Sequence, residues 1–210
     1  MARIGLFGGT FNPIHVGHLT IAEEARLRLG LDRVVFIPSG DPYLKDPAKL
    51  APQADRLAMT RLAAVAPGFA VSDLEIRREG PSYTSETVTE YRAEHPDDEL
   101  YLILGADSLL EIERWRDPEI IFRTVTVLAF TRGGVDSQAL REAVARLQAR
   151  YDARIELMDA FALNVSSSEI RDWVRTGHAC RHLVTEPVYL YIQAHGLYRA
   201  GDPRANDAHA

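Results

Sequence analysis

Apolar residues gather along this chain in two alternating patterns. Short, apolar-rich runs at residues 3–7, 34–38, 69–72, 100–105, 125–131 and 154–158 predict strands. In a run such as Tyr101-Leu102-Ile103-Leu104 no polar position alternates with the apolar ones, which suits a strand covered on both faces. Between these runs, amphipathic stretches at 17–29, 52–66, 85–95, 118–123 and 137–151 predict helices. Strands alternating with helices imply a parallel sheet with helices on both faces. After Met158 the rhythm changes, and 166–176 and 186–195 predict two helices with no clear strand between them. Ser166 and Glu169 have capping-box spacing, Gly177 supplies a stop, and Thr185-Glu186-Pro187 opens the last helix. The pattern therefore predicts an α/β fold with a small helical C-terminal part at about residues 160–199. The 210 residues suit one ordinary domain, spanning 1–199, and the Gly, Ala, Asp and Pro-rich stretch 200–210 predicts a disordered tail. No internal repeat or interdomain linker interrupts the chain.

Composition narrows the class. With 46% apolar and 26% charged residues the chain reads as globular rather than disordered. A net charge of −6 argues against a nucleic-acid partner, which would need a basic face, but leaves room for a local phosphate pocket. The single cysteine, Cys180, implies a reducing compartment; its neighbours His178 and Arg181 could lower its pKa, or it is an incidental thiol. No apolar run approaches a membrane span, and the first strand leaves no room for a signal peptide, so the expected location is cytoplasmic, with no membrane partner. His178, His182 and His195 show no metal-ligand spacing, and no metal ligands are expected from the protein itself. Trp173 reads as a core position of its helix.

The candidate chemistry begins at Gly8-Gly9-Thr10-Phe11-Asn12-Pro13-Ile14-His15-Val16-Gly17-His18, which follows the first strand and runs into the first helix. Glycines let backbone N–H groups approach a ligand, and a helix N-terminus presents N–H groups and a positive dipole end. Two histidines three apart add ring donors at the same place. The alternative is a tight turn whose histidines merely cap the helix. A second anion cradle is Val165-Ser166-Ser167-Ser168-Glu169-Ile170-Arg171, where hydroxyls meet a helix start and Arg171 offers a planar fork of donors. Taken alone, that serine triplet is a cap.

The first segment resembles the H-x-G-H signature of the nucleotidyltransferase superfamily related to class I aminoacyl-tRNA synthetases. The second resembles that superfamily's I-S-S-T-x-I-R signature, with Val165 for Ile and Ser168 for Thr. Between them come Ile37-Pro38-Ser39-Gly40-Asp41-Pro42-Tyr43-Leu44-Lys45, Gly80-Pro81-Ser82-Tyr83-Thr84-Ser85-Glu86-Thr87, Gly105-Ala106-Asp107-Ser108-Leu109 and Trp115, with Gly196-Leu197-Tyr198-Arg199 closing the set. In this order they resemble bacterial nicotinate-nucleotide adenylyltransferases over nearly the whole chain.

That resemblance implies a Rossmann-like nucleotidyltransferase fold. It also implies adenylyl transfer from ATP, with Mg²⁺, to nicotinate mononucleotide, giving deamido-NAD and pyrophosphate. Gly8, Gly9, Thr10 and Phe11 would line the ATP site through backbone groups, and His15 and His18 would contact its phosphates. Lys45 would reach the phosphates from the 41–52 loop, and Ser167, Ser168 and Arg171 would hold the β and γ phosphates. Thr84, Gly105, Asp107, Trp115 and Arg116 would surround the nicotinate nucleotide. Arg132 matches an ATP-site arginine that the family follows with Pro-Gly, but Gly133 stands here in place of that Pro. The loop also departs, reading Pro42-Tyr43-Leu44-Lys45 where many relatives read P-P-H-K. The expected partners are the two nucleotides, and a homo-oligomer is compatible with the sequence.

The chemistry itself suits these residue types. The attacking phosphate is already an anion, so no general base is needed, and catalysis is mostly positioning and charge stabilisation. His18 is expected to stabilise charge on the α-phosphate rather than accept a proton. Thr84-Ser85-Glu86 reads as a further helix start, which favours a nicotinate carboxylate over an amide. Trp115 either offers a flat face to the pyridine ring or packs in the core. Other readings stay open: nicotinamide mononucleotide or another phosphorylated acceptor such as phosphopantetheine, or a nucleotide sensor without turnover.

Overall fold

The structure is a computed structural model and describes residues 1–42, 46, 49–131, 137–159, 163 and 165–202, the side chain of residue 137 excepted. In chain order the elements are β1 (Arg3–Gly9), α1 (Val16–Leu29), β2 (Arg33–Pro38), β3 (Asp41–Pro42), α2 (Gln53–Ala63), β4 (Phe69–Val71), α3 (Leu74–Arg77), β5 (Pro81–Ser82) and α4 (Thr84–Glu94). There follow β6 (Glu99–Gly105), α5 (Ala106–Glu111), a 3₁₀ turn (Ile112–Arg114), α6 (Pro118–Thr124), β7 (Thr126–Thr131), α7 (Ser137–Tyr151), β8 (Ile155–Asp159), α8 (Ser167–Arg175) and α9 (Glu186–Ala194). The main sheet has six strands in the order β4-β2-β1-β6-β7-β8. Numbering only those six along the chain gives 3-2-1-4-5-6, the order of a doubly wound Rossmann-like sheet. The order reverses between β1 and β6, and ligands in such sheets bind beyond the strand carboxyl ends at that reversal. β1 ends in Gly8-Gly9 and β6 in Gly105.

Contacts divide the chain into two compact units. The first comprises Met1–Gly8, Ile21–Val35 and Ser82–Ala162. In it β1, β6, β7 and β8 pair in parallel, with Ile4 opposite Leu100, Leu102 opposite Val127 and Leu128 opposite Glu156. The apolar runs of β1, β6 and β7 are buried as expected: Ile4, Leu6, Leu100, Ile103, Val127, Leu128 and Phe130 form its core. A Cβ at Gly5 of β1 would lie 2.9 Å from Ile103 Cδ1 and 3.0 Å from Leu31 Cδ1, so those side chains would have to shift. Arg3 binds Glu99, Tyr101 and the Leu29 carbonyl, closing the amino ends of β1 and β6 with charge. β8 is largely exposed, as an edge strand tolerates.

The second unit comprises Gly9–Thr20, Phe36–Pro81 and Leu163–Ala210. Here α2 packs on α9, and Phe36 meets both Phe11 and Phe69 edge to face. The serine and glutamate of α8 form the expected capping box: Ser166 Oγ accepts from Glu169 N–H, and Glu169 Oε2 accepts from Ser166 N–H. The apolar face of α8 presents Ile170 and Val174, with Arg171, to the interior. Trp173 is not a core residue but lies on the other side, 44% exposed, because the helical period turns it away from Ile170 and Val174. Cys180 is fully buried, and desolvation pushes its thiol up against the lowering effect of a backbone hydrogen bond. Residues 200–202 form a turn held by Asp202 Oδ2 on Tyr198 N–H; residues 203–210 lie outside the described set. No helix among the described residues is long and apolar enough to cross a membrane.

Candidate active site

In the second unit, the loop leaving β1 is shaped by Phe11 and Pro13. Phe11 has φ 45°, in the left-handed region that side chains disfavour, and the Asn12–Pro13 bond is cis. The chain then enters α1 with His15 as its first carbonyl acceptor, bound by Leu19 N–H at 3.3 Å. His15 is buried and His18 half-buried. Their rings stack with centres 3.7 Å apart, and the Phe11 ring meets His18 edge-on at 5.1 Å. The His15 backbone N–H donates to His18 Nδ1 at 3.3 Å. A neutral His18 with Nδ1 accepting carries its proton on Nε2, so its outer nitrogen is a donor.

The second candidate anion motif is brought to the first although 154 and 159 positions separate the two pairs of contacting groups. Ser167 Oγ donates to the Pro13 carbonyl at 2.9 Å, and Arg171 Nη1 donates to the Asn12 carbonyl at 2.7 Å. Gly17 is required by this approach, because a Cβ there would lie 2.9 Å from Val165 Cγ1. Arg171 is buried, and desolvation pushes its guanidinium down while Tyr198 pushes it up. An arginine nevertheless stays cationic at neutral pH. Ser168 is exposed, its Oγ 3.2 Å from Ser166 Oγ. The capping box serves the amides of Ser166 and Glu169, and those of Ser167 and Ser168 fall outside it. Gly9, Thr10, Phe11, His15, His18, Ser167, Ser168 and Arg171 thus share one unit, with the Arg171 guanidinium as their cation. Gly8 closes the first unit's part of β1. Lys45 and Arg132 lie outside the described residues.

Asn12, Arg56 and Tyr198, to which the sequence reading gave no role, hold this loop. Asn12, 2% exposed, donates through Nδ2 to the Lys49 carbonyl at 3.1 Å. Its Oδ1 accepts from Ala51 N–H at 3.0 Å and from the Tyr198 hydroxyl at 2.8 Å. Arg56, 1% exposed, spreads its guanidinium over three carbonyls: Ala51 at 3.1 Å, Thr10 at 2.9 Å and Gly40 at 2.9 Å. Burial pushes Arg56 down, partly countered by Tyr198 and Glu75. The sequence does carry a signal for Arg56. It shares the buried face of α2 with Met59, Thr60 and Ala63, a charge on a stripe that helical spacing makes internal.

The remaining candidates belong to the first unit. Thr84 is the first residue of α4, whose cap, Tyr83, makes no side-chain capping bond. Arg116 lies over the Tyr83 ring at 4.5 Å and 4.0 Å from Glu86 Oε1, so it joins the start of α4. Hydrogen bonding to Tyr83 is the main influence that raises the Arg116 guanidinium, with Glu86 and Asp117 adding to it. Gly105 caps α5, and Asp107 is exposed in its first turn. Trp115, half-buried, follows the 3₁₀ turn.

Comparison with known proteins bears on both halves of this picture. A family model described as cytidylyltransferase-like matches residues 6–172. A protein of Symbiobacterium thermophilum named "probable nicotinate-nucleotide adenylyltransferase" is 44% identical over 203 residues, covering 96% of this chain and 98% of that protein. One of the same name from Dehalococcoides mccartyi is 42% identical over 198 residues, covering 93% and 97%. Among solved structures, a Plasmodium falciparum nicotinic acid mononucleotide adenylyltransferase complexed with NaAD shares the fold at TM-score 0.78 and 17% identity, covering 94% of this chain and 98% of that one.

Proposed function

The chain belongs to the cytidylyltransferase-like family, and from that premise we propose that it transfers the adenylyl group of ATP to nicotinate mononucleotide, giving deamido-NAD and pyrophosphate. The observation that carries this reading is the pinning of Ser167 and Arg171 to the Asn12–Pro13 loop beside His15 and His18. Two helix starts and a buried cation meeting at one loop suit a polyphosphate and little else. The names of the relatives supply the acceptor.

A nonbridging oxygen of the acceptor phosphate attacks the α-phosphorus of ATP. The new P–O bond forms as the bond to pyrophosphate breaks, and the nucleophile brings no proton to remove. His18 donates Nε2–H to an α-phosphate oxygen, where negative charge must be stabilised. Arg171, held by Asn12, the amide groups of Ser167 and Ser168 and the Ser168 hydroxyl take the leaving pyrophosphate, and Lys45 assists. His15 supports His18 by its backbone donor and its stacked ring.

Among the described residues no group of three or more His, Cys, Asp and Glu is placed to hold a metal ion, and the donors present suit phosphate oxygens. Mg²⁺ would arrive on ATP, where it would neutralise phosphate charge.

In the first unit, the uncapped start of α4 and Arg116 favour a nicotinate carboxylate, with Thr84 and Asp107 contacting the nucleotide and Trp115 facing the pyridine. The test is product formation by the purified protein with ATP, Mg²⁺ and either nicotinate or nicotinamide mononucleotide, separated by chromatography. Strong preference for the acid is expected. Preference for the amide would overturn the acceptor, and ATP binding with no dinucleotide from either would favour a sensor.

A further inference from the structure

Arg56 lies on α2, outside the two anion motifs, and its guanidinium is wholly buried. Its three bonds reach carbonyls on three different segments: Thr10 after β1, Gly40 after β2, and Ala51 before α2. A buried cation serving only to fill space is costly, and methionine or leucine would do that better. The bond to Thr10 has a directional consequence. The Thr10–Phe11 peptide is planar and trans, so its C=O and N–H point to opposite sides. With the Thr10 oxygen turned to Arg56, the Phe11 N–H is turned away from α2. Phe11 sits at φ 45°, a conformation that costs energy and persists only when its surroundings enforce it.

We propose that Arg56 is a positioning residue for nucleotide binding: by holding the Thr10 carbonyl it fixes the Thr10–Phe11 peptide plane and aims the Phe11 N–H at the ATP. This rests on the reading of the Gly9–His18 loop as an ATP site. The cation acts through the backbone and does not itself touch the substrate. Arg56→Lys keeps the charge but cannot serve three carbonyls from a planar fork, and Arg56→Met keeps much of the volume without donors.

The test compares calorimetric ATP binding and steady-state kinetics of wild type, Arg56→Lys and Arg56→Met, with thermal unfolding to score folding. About ten-fold or greater weakening of ATP binding is expected in the folded variants, with acceptor KM within two-fold of wild type. A merely structural role would instead lower the active fraction and leave both constants unchanged, which overturns the proposal. Amide hydrogen exchange on the wild-type protein decides the case if neither variant folds. ATP should slow exchange at Phe11, and unaltered exchange there overturns the inference. If wild type binds no ATP, the ATP-site reading itself falls.

Discussion

His15 donates its backbone N–H to His18 Nδ1 at 3.3 Å while the two rings stack 3.7 Å apart. One residue thereby sets both the tautomer and the tilt of the other. With Nδ1 accepting that bond, a neutral His18 carries its proton on Nε2.

Replacement of His18 should therefore separate the two nitrogens. His18→Ala is expected to lower kcat about a hundred- to a thousand-fold, the usual cost of one transition-state donor, with the unfolding midpoint nearly unchanged. His18→Asn can still accept from His15 N–H but has no donor at the Nε2 position, so it should be as impaired as alanine. Activity restored by Asn would show that the bond to His15 is what the reaction needs.

Adjacent serines should behave differently. Ser167 Oγ is committed to the Pro13 carbonyl, so Ser167→Ala should cost about 1 kcal/mol of stability as well as activity. Ser168 is exposed, and Ser168→Ala should leave stability within about 0.5 kcal/mol while raising the KM for ATP. Denaturant unfolding beside ATP kinetics separates them; equal stability losses would contradict the assignment.

Arg116 is half-exposed and held over Tyr83. If it meets the nicotinate carboxylate, Arg116→Ala should raise the KM for the acid about ten-fold or more and leave that for the amide nearly unchanged. Equal losses for both acceptors would remove Arg116 from substrate selection.

Acid sensitivity has two identifiable contributors in the first unit, Glu23, lowered by its bond to Arg26, and Glu99. The Tyr101 hydroxyl bonds Glu99 at 2.8 Å and Arg3 Nε lies 3.1 Å from its other oxygen, and together they hold the Glu99 carboxyl below its ordinary range against opposing desolvation. A carboxylate lowered by folding stabilises the native state at pH above its unfolded value, and that stabilisation disappears as pH falls through the folded value. Both partners are partly exposed, so the effect is modest. Glu99→Gln should flatten the fall in melting temperature between about pH 5 and 3. An unchanged slope would assign the acid loss elsewhere.

The main strands and helices were legible because each carries its own period. The dense run at 100–105 and the amphipathic stretch at 137–151 emerge as β6 and α7. α3, with four residues, and α5, with six, were not legible, since neither shows a full amphipathic repeat. Both anion motifs were readable because glycine, serine and histidine cluster within a few positions of a helix start. Trp173 misled because an aromatic in a helix signals burial only if the apolar stripe includes it, and here Ile170 and Val174 define the stripe.

By itself the sequence determined the α/β alternation, the family and the residue types of the site, because these depend on local periodicity and contiguous motifs. It also offered Ser167 and Arg171 as candidate phosphate ligands, but not their bonds to Pro13 and Asn12. Only the tertiary structure decided that contact, the tautomer of His18, and the use of Arg56 and Asn12 as clamps on the loop. Apart from the His15–His18 bond, which spans three positions, such bonds join backbone and side-chain groups from segments far apart in sequence. A backbone carbonyl carries no residue signature, so its partner is fixed only when packing brings the two together.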